Sequence, residues 1–97
     1  MIGDANNQLQ ATPGEDVLEE VAGKVEDCAI HLGLELGLDM PVIYDTLSTC
    51  ENGICKQTLA VMKRWISTSK VKTIGMLMEA FYSAEPTGYN FLREKYR

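Results

Sequence analysis

The sequence predicts an all-α domain, a six-helix antiparallel bundle, and three observations carry that prediction. Apolar residues recur at helical spacing through six short segments, Gly and Pro clusters separate them, and alternation at period two never lasts beyond four residues. Ninety-seven residues suffice for one domain with its own core, and 45% hydrophobic with 24% charged residues is an ordinary globular balance. Residues 1–11 are polar and aperiodic and read as a disordered tail, leaving residues 12–97 as the domain.

Thr12-Pro13-Gly14-Glu15 has the form of a capping box, with a threonine cap, proline at the first helical position and glutamate at the third. Helix 1 should then run to about Lys24 on Val17, Leu18, Val21 and Ala22. Helix 2 follows directly, its stripe being Val25, Cys28, Ala29, Leu32 and Leu36. Gly37 stands where a left-handed C-terminal cap is expected, and Leu38 beyond it can fold back on the last turn. Asp39 can cap helix 3, which tolerates Pro41 in its first turn and buries Val42, Ile43 and Leu47.

Residues 48–53 have loop composition. Helix 4, about Ile54 to Ser67, carries Cys55, Leu59, Met62, Trp65 and Ile66 on one side. Helix 5, about Lys70 to Ser83, carries Val71, Ile74, Leu77, Met78 and Phe81. Residues 84–88 form the last turn, where Thr87 can cap helix 6 with Tyr89, Leu92 and Tyr96. Met76, Met78 and Tyr82 are either a soft patch on helix 5 or core filling, with at least one methionine facing solvent. Trp65, in register with Leu59 and Met62, is core.

Charge is unevenly distributed. The net charge of −5 resolves into about −10 over residues 1–51 and +5 over residues 52–97. The acidic balance disfavours nucleic acid as a partner, including a helix-turn-helix reading, because phosphate binding needs an excess of Lys and Arg. The first residues have neither a basic n-region nor an apolar run, and no stretch reaches membrane-span length, so a cytoplasmic protein without direct membrane insertion is expected. Three cysteines are an odd number for a disulfide framework and suit reduced thiols.

The leucine-rich run Leu32-Gly33-Leu34-Glu35-Leu36-Gly37-Leu38 followed by Ile43, the pair Leu59 and Trp65, and Lys72-Thr73 with Leu77 and Ala80-Phe81 together resemble the death-domain family. The similarity spans about residues 15–97. Ala29 stands where many members have tryptophan, and Gly33 replaces the usual alanine, so the chain looks like a divergent member or a sister death-effector, caspase-recruitment or pyrin domain. Trp65 with Lys72-Thr73 favours the death domain proper.

What the resemblance implies is the death fold, a Greek-key arrangement of six helices, without catalytic residues, cofactor or metal. It also implies an adaptor or receptor-tail module of apoptotic or innate-immune signal transduction, binding another death-fold domain homotypically and able to form hetero-oligomers. In this chain the basic patch would be Lys56, Lys63 and Arg64 on helix 4, and the acidic patch Asp27, Glu35, Asp39 and Asp45 on helices 2 and 3. Opposite signs on separate helices are what a head-to-tail contact needs. The alternative for Lys63 and Arg64 is a pair of solvated positions beside a buried tryptophan.

Other readings are less well supported by spacing. Cys28, His31, Cys50 and Cys55 have the ligand count of a structural zinc site, in an unfamiliar spacing, with Cys28 and Cys55 on apolar stripes. Cys28 and His31 share a helix face as a nucleophile pair would, without an orienting third group. A sterile-alpha-motif-like module would need a long last helix, which Pro86 and Gly88 interrupt. Gly33 and Gly37 form a GxxxG outside any membrane context, and the carboxylates follow no calcium-loop spacing.

Overall fold

A computed structural model describes residues 9–25, 28–49 and 54–96, with the side chains of residues 54 and 55 excepted. Among these residues the chain is helical with no strand: α1 (Glu15–Ala22), α2 (Ala29–Glu35), α3 (Met40–Thr49), α4 (Ile54–Thr68), α5 (Ile74–Ala84) and α6 (Pro86–Lys95). The helices form a bundle in which α4 is central. It packs against α1, α2 and α3, while α5 lies between α2 and α6, and α6 closes onto α1. The radius of gyration, 12.7 Å, is that of a compact domain of this length.

The apolar stripes converge as their spacing requires. Trp65, Phe81, Leu32, Ile43, Met62, Leu77, Leu92, Val21 and Val61 are fully buried and form one core with Val17, Leu18 and Ala80. Leu47, Leu59, Ile66, Met78, Tyr89 and Tyr96 line its margin. Thr58, which the sequence stripe omits, is also fully buried on α4.

The α2 terminus is a Schellman motif. Gly37 has φ 92°, the Leu38 N–H donates to the Gly33 carbonyl at 2.9 Å, and the Gly37 N–H donates to the Leu34 carbonyl at 3.0 Å. Leu38 is buried against the core, which completes the motif's apolar contact. The chain then enters α3 with the Asp39 carbonyl accepting from the Ile43 N–H at 3.0 Å.

Three local expectations are corrected. The cap of α1 is Gly14, in extended conformation, and not Thr12; no side chain bonds the first turn. Pro13 is buried and precedes the cap, so the helix starts two residues past the capping-box register. The cap of α6 is Glu85 with Pro86 at the first position, so Thr87, whose N–H Glu85 accepts at 3.4 Å, lies inside the helix. Finally, α5 begins at Ile74 under a Thr73 cap, whose Oγ accepts from the Met76 N–H at 3.1 Å. Val71 is therefore outside the helix and 62% exposed, where the stripe had placed it in the core.

Of the tail read over residues 1–11, residues 1–8 lie outside the described residues. Leu9 and Gln10 are helical, and the Ala11 carbonyl accepts from the Ile74 N–H at 2.9 Å, which joins this stretch to the start of α5.

Candidate functional site

Helix α4 buries Thr58, Val61, Met62 and Trp65, with Leu59 at the core margin, so the remaining positions form its outer side. Lys56 and Lys63 are exposed and Arg64 is half-buried, which places the three cations of the basic patch on the outside of one helix. On α2, the buried Ala29, Leu32 and Gly33 turn Ile30, His31, Leu34 and Glu35 to solvent. On α3, the buried Ile43 and Thr46 leave Tyr44 and Asp45 exposed, and Asp39 is exposed at its start. Asp27 lies outside the described residues.

The two patches are not electrically independent. Lys63 Nζ lies 2.7 Å from Glu15 Oε1 on α1, and Arg64 Nη1 lies 3.9 Å from Asp45 Oδ2 on α3. The hydrogen bond to Glu15, with the charges of Glu15 and Glu19, raises the Lys63 pKa above its ordinary value. A similar clasp joins the chain's ends: Lys95 Nζ on α6 lies 3.1 Å from Glu20 Oε1 on α1, and the Lys95 pKa is raised by that hydrogen bond. All these groups are substantially exposed, so the pairs orient side chains more than they stabilise the fold. The polarity of the sequence is thus partly satisfied inside the molecule. Glu35 instead faces His31 one turn away on its own helix, at 3.4 Å.

Shallow clefts flank the basic side chains. One of about 220 Å³ between α1 and α4 is lined by Pro13, Glu15, Leu18, Lys63 and Ile66. Another of about 480 Å³ between α3 and α4 is lined by Thr46, Thr49, Ala60, Lys63, Arg64 and Ser67. The hydroxyls there donate to backbone carbonyls of their own helices: Thr46 to Val42, Thr49 to Thr46 and Ser67 to Arg64. Arg64 Nε is buried without a hydrogen-bond partner, although the end of its guanidinium reaches toward Asp45.

Exposed apolar side chains accompany the acidic patch. Ile30 and Leu34 are 40% and 46% exposed, four residues apart on one face of α2, and Tyr44 on α3 is 56% exposed. Sequence reasoning passed over all three as site residues. The signal was present for Ile30 and Leu34, because both fall off the α2 stripe of Cys28, Ala29, Leu32 and Leu36. On α5, Met76 and Tyr82 are exposed as the soft-patch reading allowed, whereas Met78 packs against the core. The Tyr82 ring meets Tyr89 edge-on at a centroid distance of 5.1 Å.

Of the zinc reading, Cys28 is buried and His31 is exposed beside Glu35, while Cys50 and the Cys55 side chain lie outside the described residues. No helix among the described residues is long and apolar enough to cross a membrane. No family model, curated protein or solved structure matches the chain.

Proposed function

We propose that this chain is a death-fold interaction domain, its helices in the Greek-key order, that works without catalysis by docking onto another domain of its own kind. The basic outer side of α4 (Lys56, Lys63, Arg64) meets the acidic residues Glu35, Asp39 and Asp45 of α2 and α3 of a neighbour, with Asp27, which precedes α2 in the sequence, assigned to the same contact. In the cell it is a cytoplasmic module of apoptotic or innate-immune-type signalling.

The observation that carries this reading is the composition of the α2–α3 surface. Ile30 and Leu34 are exposed on α2, which also carries the exposed Glu35, and Tyr44 is exposed on α3 beside Asp45. Exposed apolar side chains, one aromatic among them, combined with charged ones are the composition of a protein-docking surface. The charges set orientation and encounter rate, and the apolar side chains supply affinity. The Glu15–Lys63 and Asp45–Arg64 pairs are compatible with it, since exposed pairs are weak enough to exchange partners when a neighbour arrives.

The test is affinity capture from cell lysate, comparing the wild-type chain with Lys63→Glu/Arg64→Glu shown to be folded by circular dichroism. Recovery of a death-fold protein by the wild type and its loss from the variant is the expected result. Equal recovery by both removes the α4 face from the account, and recovery of nucleic-acid-binding or metal-linked partners in its place removes the function itself.

A further inference from the structure

The turn between α4 and α5 displays an apolar residue that the fold has no use for. Val71 is 62% exposed, the second most exposed large apolar side chain among the described residues, and it sits between Lys70 and Lys72. A β-branched side chain in a loose loop would be of little consequence, but this turn is tied down on both sides. The Ser69 N–H donates to the Trp65 carbonyl at 2.9 Å, continuing the α4 ladder into the turn. Lys72 Nζ donates to the Ile66 carbonyl at 2.7 Å, so one of the two flanking cations caps the C-terminal end of α4. Thr73 caps α5, and the Ile74 N–H is held by the Ala11 carbonyl. Val71 is thus carried on a turn braced on both sides, which lowers the entropy lost on docking.

The surroundings give this projection a chemical sign. Lys70 is exposed beside it in the chain and Lys72 follows, so both sequence neighbours of Val71 are cationic. An apolar knob set in positive charge fits an apolar surface set in negative charge. The α2–α3 surface of a second copy is such a surface. Ile30 and Leu34, neighbours on one helix face, are both exposed, and the exposed carboxylates Glu35 and Asp39 follow them in the chain.

We infer that Val71 is the apolar anchor of the contact between copies, packing on the exposed Ile30 and Leu34 of the next chain while Lys70 faces Glu35 or Asp39 there. This rests on the docking proposed above and adds to it the residue that supplies affinity, where Lys63 and Arg64 supply orientation. Because Val71 and the Ile30–Leu34 pair are different residues of one chain, the contact is heterologous and can repeat from copy to copy.

Sedimentation velocity on the full chain over a concentration series tests it, using wild type, Val71→Asp, Val71→Ile and Leu34→Asp. Both aspartate variants should weaken self-association by about tenfold or more, the loss of a central anchor. Val71→Ile should retain association, and all four chains should melt alike because the substituted side chains are exposed. As a second readout, oxidising a mixture of Val71→Cys and Leu34→Cys chains should give a cross-linked heterodimer that neither gives with wild type. If wild type associates and Val71→Asp associates equally well, the anchor is overturned while the docking reading survives. If wild type stays monomeric throughout, self-docking falls and the anchor with it.

Discussion

A Cβ built on Gly88 would lie 2.5 Å from Cδ1 of Phe81, with two more ring carbons of Phe81 within 2.9 Å. The first turn of α6 therefore rests its backbone on the Phe81 ring, and α5 and α6 approach as closely as they do because position 88 has no side chain. Phe81 is fully buried and cannot step aside. Gly88→Ala should destabilise the domain by about 2 kcal/mol, an overpacking cost, despite the better helix propensity of alanine. Urea denaturation followed by circular dichroism measures it; an unchanged midpoint would mean the two helices can separate freely.

Gly33 has a comparable reason. A Cβ there would meet Ile43 Cδ1 at 2.8 Å and Cγ1 at 2.9 Å, so α3 fills the space that an alanine methyl would take. Gly33→Ala should lower stability by about 1 kcal/mol, the overpacking outweighing the propensity gain. Ile43→Val removes the nearest atom, so the double variant should be more stable than the two single losses together allow. A double-mutant cycle reads that coupling directly.

Thr58 Oγ is buried on α4 without a hydrogen-bond partner, unlike Thr46 Oγ, which donates to the Val42 carbonyl at 2.8 Å. Replacing an unsatisfied hydroxyl by a methyl of the same shape removes a desolvation cost. Thr58→Val should leave stability unchanged or raise it by about 1 kcal/mol, while Thr46→Val should lower it by a similar amount. Thermal melts of the two variants side by side decide the matter.

Lys63 and Lys95 hold their protons more tightly in the folded chain than in the unfolded one, through Glu15 and Glu20 respectively. Stability from these pairs is fully present below the unfolded lysine value of 10.5 and is lost as pH rises through the raised folded values. Tyr96 acts in the same direction, because burial favours its neutral form. The melting temperature should accordingly fall at strongly alkaline pH, and Glu15→Gln/Glu20→Gln should flatten that fall, with the remainder reduced by Tyr96→Phe. A fall of unchanged steepness in the triple variant would assign it to other groups.

Several features of the fold were legible because their causes are local. Gly37 and Leu38 announce the Schellman motif through a single left-handed position, and the buried faces of α1 and α2 follow from spacing alone. The misplaced caps both lie beside a proline. At α1 the cap falls at Gly14, just after Pro13, and at α6 Pro86 takes the first helical position so that Glu85 becomes the cap. Val71 was misread because its helical spacing from Ile74 and Met78 is real, yet Thr73 offers a better start two residues later. The charges of the candidate site were legible as residues but their pairing was not. Lys63 with Glu15 and Arg64 with Asp45 join helices that come together only in the folded bundle.

The central claim is that the α4 side of one molecule docks on the α2–α3 side of another, and complementation tests it most directly. Lys63→Glu/Arg64→Glu disables one side and Glu35→Lys/Asp39→Lys the other, so each variant alone should sediment as a monomer. Mixed in equal amounts they retain one good surface each, and the account predicts dimers that grow no further and dissolve as salt is raised. A mixture that stays monomeric while wild type assembles, or variants that assemble alone as well as wild type, would contradict it.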